Sequence, residues 1–321
     1  MQHPTNSKKR ALQWPLLKQK KFSEMLRLAA ADWFKSKHLP THARMPYCLG
    51  EWEQWPSNLI LPEVADYIQK QREAAAEKKS PFPLHKYLHH GMSSQAMAFN
   101  LIGPLITRRD YSPLISLLES KNVEGASEIA EAVFEYKDRK VFNEDAGQPT
   151  SIDIALKDKN GQPFIFIESK FDERAFGGCS VFGLGDCSGA SPIGFEDDCF
   201  LHFIGRKYWP LMSKHGITDQ LKNERQCIFA MHYQFFREIL FSIEKNGTFV
   251  LLSDERSPVF SSRAGEDRRS LMPFLTSFLP EKLKSRVVAI STQELVREIE
   301  HNPRHEDWIP EFKKKYAMNA L

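Results

Sequence analysis

The chain has 321 residues, 41% hydrophobic and 12% aromatic, enough to bury a substantial core. With 44 Lys and Arg against 41 Asp and Glu, its net charge of +3 excludes a polycation, so any nucleic-acid footprint must be local. No apolar run is long enough for a membrane span, the basic start MQHPTNSKKRALQWPLLKQKK lacks the apolar stretch of a signal peptide, and five cysteines, an odd number, argue against a disulfide scaffold; a cytoplasmic chain is expected.

Residues 1–22 carry Lys8, Lys9, Arg10, Lys18, Lys20 and Lys21, which read as a solvated terminus or as phosphate contacts. Residues 23–37 predict an amphipathic helix with Met25, Leu26, Leu28, Ala29 and Trp33 on one side. The Pro- and Trp-rich stretch from Leu39 to Pro62 reads as irregular. Residues 63–78 favour helix by propensity, ended by Pro81 and Pro83. Ser93 or Ser94 caps a helix over 93–102, with Gly103 and Pro104 as its stop, and 112–121 predicts another. Within 129–136, Val133-Phe134-Glu135-Tyr136 is β-prone.

The clearest signal follows. Residues 151–157 and 164–171 predict two strands about Asn160-Gly161, a strong hairpin signature. A loop rich in Gly, Cys and Asp occupies 172–199. A long helix is expected over 221–244, a buried strand over 248–252, and helices over 268–279 and 292–301 on either side of a last strand, 286–290. This order predicts an α/β fold, a mixed central sheet with an αβββαβ core flanked by helices. The divisions expected are a helical N-terminal extension (1–90), a core carrying the Cys-rich loop (91–260) and a C-terminal α/β extension (261–321).

The hairpin makes a site. If Asn160-Gly161 is a two-residue turn, paired positions sum to a constant, and Asp153 faces Glu168 with Cβ atoms roughly 4.5–5.5 Å apart. Lys170, two residues on, points to the same face. Two facing carboxylates among Ile and Phe repel unless they share a proton or bind a divalent cation. Oxygen ligands suit Mg²⁺ or Mn²⁺, and Lys170 would orient water or stabilise charge on a phosphate. The plain alternative is an exposed ion cluster, but Phe164, Ile165, Phe166 and Ile167 make the second strand apolar on both faces, as in a central strand. A bulge near Pro163 would change the register.

Asp153 on one strand and Glu168-Ser169-Lys170 at the end of the next resemble the PD-(D/E)XK, or restriction-endonuclease-like, nuclease superfamily over residues 93–253. Ser93-Ser94-Gln95-Ala96 and Tyr233-Gln234-x-x-Arg237 look like a bacterial subgroup of restriction-type nucleases. The resemblance implies metal-dependent phosphodiester hydrolysis, usually of DNA, with Asp153 and Glu168 on the metal and Lys170 catalytic. It also implies a role in defence against foreign DNA. Ile152 stands where the superfamily's name has Pro. A third acid is expected upstream: Glu135 first, with Glu128 and Glu131 behind it and Gln95 as a weak neutral ligand.

Cys179, Cys187 and Cys199 follow the lysine closely, Cys227 lies further on and Cys48 far upstream. Some nucleases of this resemblance hold zinc or an iron–sulfur cluster beside the core with one remote cysteine, which gives a candidate set of Cys179, Cys187, Cys199 and Cys48. No CxxC pair supports it, and Cys227 reads as core. Arg206-Lys207-Tyr208-Trp209 reads as a packing segment or as a grip on a nucleic-acid backbone. Gln234 and Arg237 share a helix face that meets either solvent or substrate. The expected partner is nucleic acid, DNA before RNA, without a membrane; a homodimer is left open. The competing readings are a non-catalytic nucleic-acid-binding module of this fold and a zinc-stabilised interaction protein.

Overall fold

The structure is a computed structural model, described for residues 18–80, 82–145, 149–260 and 271–318. Lys8, Lys9, Arg10, Pro81 and the start of the expected 268–279 helix lie outside the described residues.

Helix α1 (Lys18–Ser36) buries Phe22, Leu26, Ala30 and Trp33, a stripe at spacings of four and three. Leu28, expected on that face, is 63% exposed because it falls between the stripe's turns. The stretch expected to be irregular holds an antiparallel ribbon, Thr41–His42 with Met45–Leu49, and a 3₁₀ turn, Trp52–Asn58. Helix α2 (Pro62–Glu77) starts on a proline, whose missing N–H costs nothing in the first turn.

Helix α3 (Ser94–Thr107) is capped by Ser93, whose hydroxyl accepts from the Ala96 N–H at 3.2 Å. It does not stop at Gly103-Pro104 as expected. Gly103 marks a close crossing instead: a Cβ there would lie 2.5 Å from Val64 Cγ1 of α2. Pro104 removes one hydrogen bond, and its own carbonyl still accepts from Arg108 N at 3.1 Å. Helix α4 (Ser112–Ser120) follows.

The central sheet has five strands in sequence order: β1 (Glu131–Lys137), β2 (Ser151–Lys157), β3 (Pro163–Lys170), β4 (Thr248–Ser253) and β5 (Val287–Ser291). β1–β2 and β2–β3 pair antiparallel, β3–β4 and β4–β5 parallel. The architecture is thus mixed α/β. Ile154, Leu156, Ile165, Ile167, Val250 and Leu252 face one core, built with α1 to α4 and with α6 (Thr292–Glu300) and α7 (Ile309–Lys315), the last unforeseen in the sequence. Ala155, Phe166, Phe249 and Leu251 face the other, against α5 (Tyr233–Glu244). The first core joins residues of the N-terminal, central and C-terminal parts of the chain.

The expected helix over 221–244 is broken. A short turn, Ile228–Met231, is capped by the Cys227 sulfur, and α5 begins only after His232, whose φ of −127° leaves the helical region. Among the described residues no helix is long and apolar enough to cross a membrane.

Candidate active site

The hairpin turn has three residues rather than two. Asp158 N donates to Gln162 O at 3.0 Å, and Gly161 supplies the left-handed φ of 75° that such a turn needs. Lys157 therefore pairs with Pro163, and a bulge restores the expected constant sum at Leu156–Ile165, Ala155–Phe166 and Ile154–Ile167. The two departures cancel, so the register beside the site is the one the sequence predicts. Pairing ends one step before Asp153 and Glu168. There, Ser169 N donates to Asp153 Oδ2 at 2.9 Å, a side chain taking the place of a ladder carbonyl. On its other edge β3 is locked to β4, Glu168 beside Leu251 and Lys170 beside Ser253.

Glu168 and Lys170 are almost fully buried, at 2% and 6% exposure. Lys170 Nζ donates to Glu168 Oε1 at 2.6 Å and to Gln234 Oε1 at 3.0 Å. Gln234 Nε2 donates to the same Glu168 Oε1 at 2.6 Å, while Gly177 N donates to Gln234 Oε1 at 3.1 Å. Glu168 Oε2 is buried and has no hydrogen-bond partner among the described residues. These groups open onto a cavity of about 730 Å³, also lined by His85, Lys86, Gln95, Glu135, Asp153 and Arg237.

Glu135 enters the cavity through an unusual backbone. In mid-strand, between the pairs Phe134–Ile154 and Tyr136–Ile152, it has a φ of 55°. A left-handed glutamate within a strand is a strained conformation of the kind that gathers at functional sites. Its oxygens are held by Gln95 Nε2 at 2.6 Å and Ser151 Oγ at 2.7 Å. Glu128 is exposed, and Glu131 pairs with Lys157 at 3.0 Å on the far end of the strand.

The electrostatics follow from burial and crowding. Burial first, then the charges of Glu168 and Glu135, push the Asp153 carboxyl well above its ordinary range. Burial also raises Glu135, against the hydrogen bonds from Ser151 and Gln95. Burial opposes the charge on Lys170, but Glu168, Glu173, Glu238 and Asp153 outweigh it and hold the ammonium above the usual lysine range. Glu238 is a participant the sequence reading missed. It is fully buried, both its oxygens lack a hydrogen-bond partner among the described residues, and burial followed by the Glu168 charge raises it far. Its signal was its spacing: it stands four residues after Gln234, on the same face of α5.

Among the described residues no group of three or more His, Cys, Asp or Glu stands ready-made around an ion. The donor chemistry nevertheless suits a hard divalent cation. Asp153 is strained by like charge, Glu168 presents a buried oxygen with nothing to bond, and a cation between them would relieve both.

The other sequence candidates separate. Gln95, Gln234 and Arg237 line the cavity; Arg206 and Lys207 do not. Arg206 pairs with Asp145 at 2.7 Å, and Tyr208 and Trp209 are buried in the second core. Cys48 lies in the N-terminal ribbon, bridged to His90, away from the other cysteines.

A family described as Restriction Endonuclease associating with ARP matches residues 27–317. No curated protein and no solved structure matches the chain.

Proposed function

The chain belongs to the family described as restriction endonucleases associating with ARP, and we propose that it hydrolyses phosphodiester bonds of nucleic acid, DNA before RNA, with Mg²⁺ or Mn²⁺ at Asp153 and Glu168. The observation that carries this reading is the unpartnered, buried Glu168 Oε2 beside the over-crowded Asp153 carboxylate, with Lys170 fixed between Glu168 and Gln234. A divalent ion bound there supplies a Lewis acid and a water of lowered pKa.

The protein's own groups do the rest. Asp153 is aimed by Ser169 N, and Glu168 by Gln234 Nε2, so both carboxylates are oriented before a metal arrives. Lys170, kept charged, neutralises negative charge as it builds on the phosphate. Glu135, held by Gln95 and Ser151, would offer the ion a third carboxylate. Lys86 and Arg237, in the cavity wall, offer cationic contacts to a phosphate backbone. The family's description adds an association with ARP, and a restriction-type nuclease fits defence against foreign DNA. Cutting of plasmid or linear single-stranded DNA with Mg²⁺ or Mn²⁺, abolished by EDTA, is the test of the activity.

A further inference from the structure

The loop after Lys170 closes on a second cavity, about 220 Å³, and four of the five cysteines line it: Cys179, Cys187, Cys199 and Cys227. They come from separate stretches of chain, and backbone hydrogen bonds bring them together. Cys179 N donates to Ala230 O at 2.8 Å, Cys227 N to Gly189 O at 2.8 Å and Ser191 N to Arg225 O at 3.0 Å. Their sulfurs also accept backbone N–H groups, Cys187 from Gly189 at 3.4 Å and Cys227 from Ala230 at 3.3 Å. Such donors stabilise sulfur that carries negative charge.

All the cysteines are free, so no disulfide accounts for the convergence. The loop and the turn after it leave large apolar side chains in solvent: Leu184 and Phe195 are 74% exposed and Phe203 is 77% exposed. A bound inorganic centre would order it. A single zinc ion holds each sulfur at about 2.3 Å, which draws neighbouring sulfurs to within roughly 4 Å of one another. Among the described residues no such ion-holding group exists. Four thiols lining one cavity match the ligand set of an iron–sulfur cluster, which four cysteine thiolates hold.

We propose that Cys179, Cys187, Cys199 and Cys227 ligate an iron–sulfur cluster in this cavity. Cys227 replaces Cys48 in the set expected from the sequence. Assembly displaces one thiol proton per ligand as each Fe–S(Cys) bond forms. The cluster would tie the loop to the turn before α5, the helix that carries Gln234, and the inference stands independently of nuclease activity.

The test is iron and acid-labile sulfide analysis of the full chain. The protein would be purified anaerobically and reconstituted with ferric iron, sulfide and a thiol reductant, which together supply the ferric and ferrous iron of the centre, beside Cys187→Ala, Cys227→Ala and Cys48→Ala. The expected result is equal iron and sulfide, with visible absorption bleached by dithionite, in the wild type and Cys48→Ala, and loss of both in the other two variants. Cys187 is only half-buried, so its alanine variant should keep its far-UV circular dichroism, which separates ligand loss from misfolding. Absence of iron and sulfide from the wild type after reconstitution, zinc in their place, or a full complement in Cys187→Ala would overturn the proposal.

Discussion

Gln234 Nε2 meets Glu168 Oε1 at 2.6 Å, across 66 residues of chain, and it meets the same oxygen that receives the Lys170 ammonium. With two donors on Oε1, the other carboxylate oxygen is left turned away and unbonded. One glutamine on α5 thereby sets the orientation of the two charged groups at the end of β3.

Replacing that glutamine should loosen both. Gln234→Ala is expected to lower the apparent metal affinity and cleavage rate about 10–100-fold, the usual cost of losing an outer partner of a metal ligand. A Mg²⁺ titration of cleavage rate checks it. A midpoint and maximum equal to those of the wild type would mean that Glu168 is oriented by its strand alone.

The crowding at Asp153 predicts a stability cost in the metal-free protein. A carboxyl whose folded pKa is raised above the unfolded value contributes stability below the ordinary carboxylate range and loses it as pH rises through the folded value. Asp153→Asn keeps an oxygen for Ser169 N and removes the titration. In EDTA the variant should match the wild type near about pH 4 and be the more stable of the two at neutral pH. Thermal unfolding across that range decides, and a gap that is independent of pH would contradict the assignment.

Lys170→Met removes the only cation bonded to Glu168 among the described residues. Cleavage should fall about 10²–10³-fold, as when a donor to developing charge is lost. Binding of DNA in Ca²⁺ should be nearly unchanged, as gel shifts would show. Equal losses in binding and cleavage would make Lys170 a substrate contact instead.

The hairpin was legible because alternation and turn chemistry are local: that Asp153, Glu168 and Lys170 come together followed from residue spacing, and the apolar run around them marked β3 as central. The site's surroundings were hidden because they depend on tertiary contacts. Nothing in the sequence indicates that Glu135 turns left-handed in mid-strand, that Gly103 is a crossing point with Val64, or that Cys227 faces three loop cysteines. Glu238 is one more glutamate in a helical stretch of sequence, and its burial and its charge acting on Lys170 arise only in the folded chain.

A second buried cation allows a test away from the site. Lys315 is 1% exposed, donates to Asn58 Oδ1 at 2.8 Å and lies 4.1 Å from the centre of the Trp33 ring. Burial lowers its pKa well below 10.5. The native state then binds fewer protons than the unfolded one between those two values, so stability rises with pH across that window. The wild type should gain thermal stability relative to Lys315→Met between neutral pH and about pH 10. Parallel curves would show that the ammonium stays charged in its aromatic surroundings.

The most direct test of the account is cleavage of plasmid and linear single-stranded DNA with Mg²⁺, with Mn²⁺ and with EDTA, beside Asp153→Ala and Lys170→Ala. The site described here predicts metal-dependent cutting by the wild type that is lost in both variants while their folded signal persists. Cutting that survives both substitutions would place the chemistry elsewhere in the molecule.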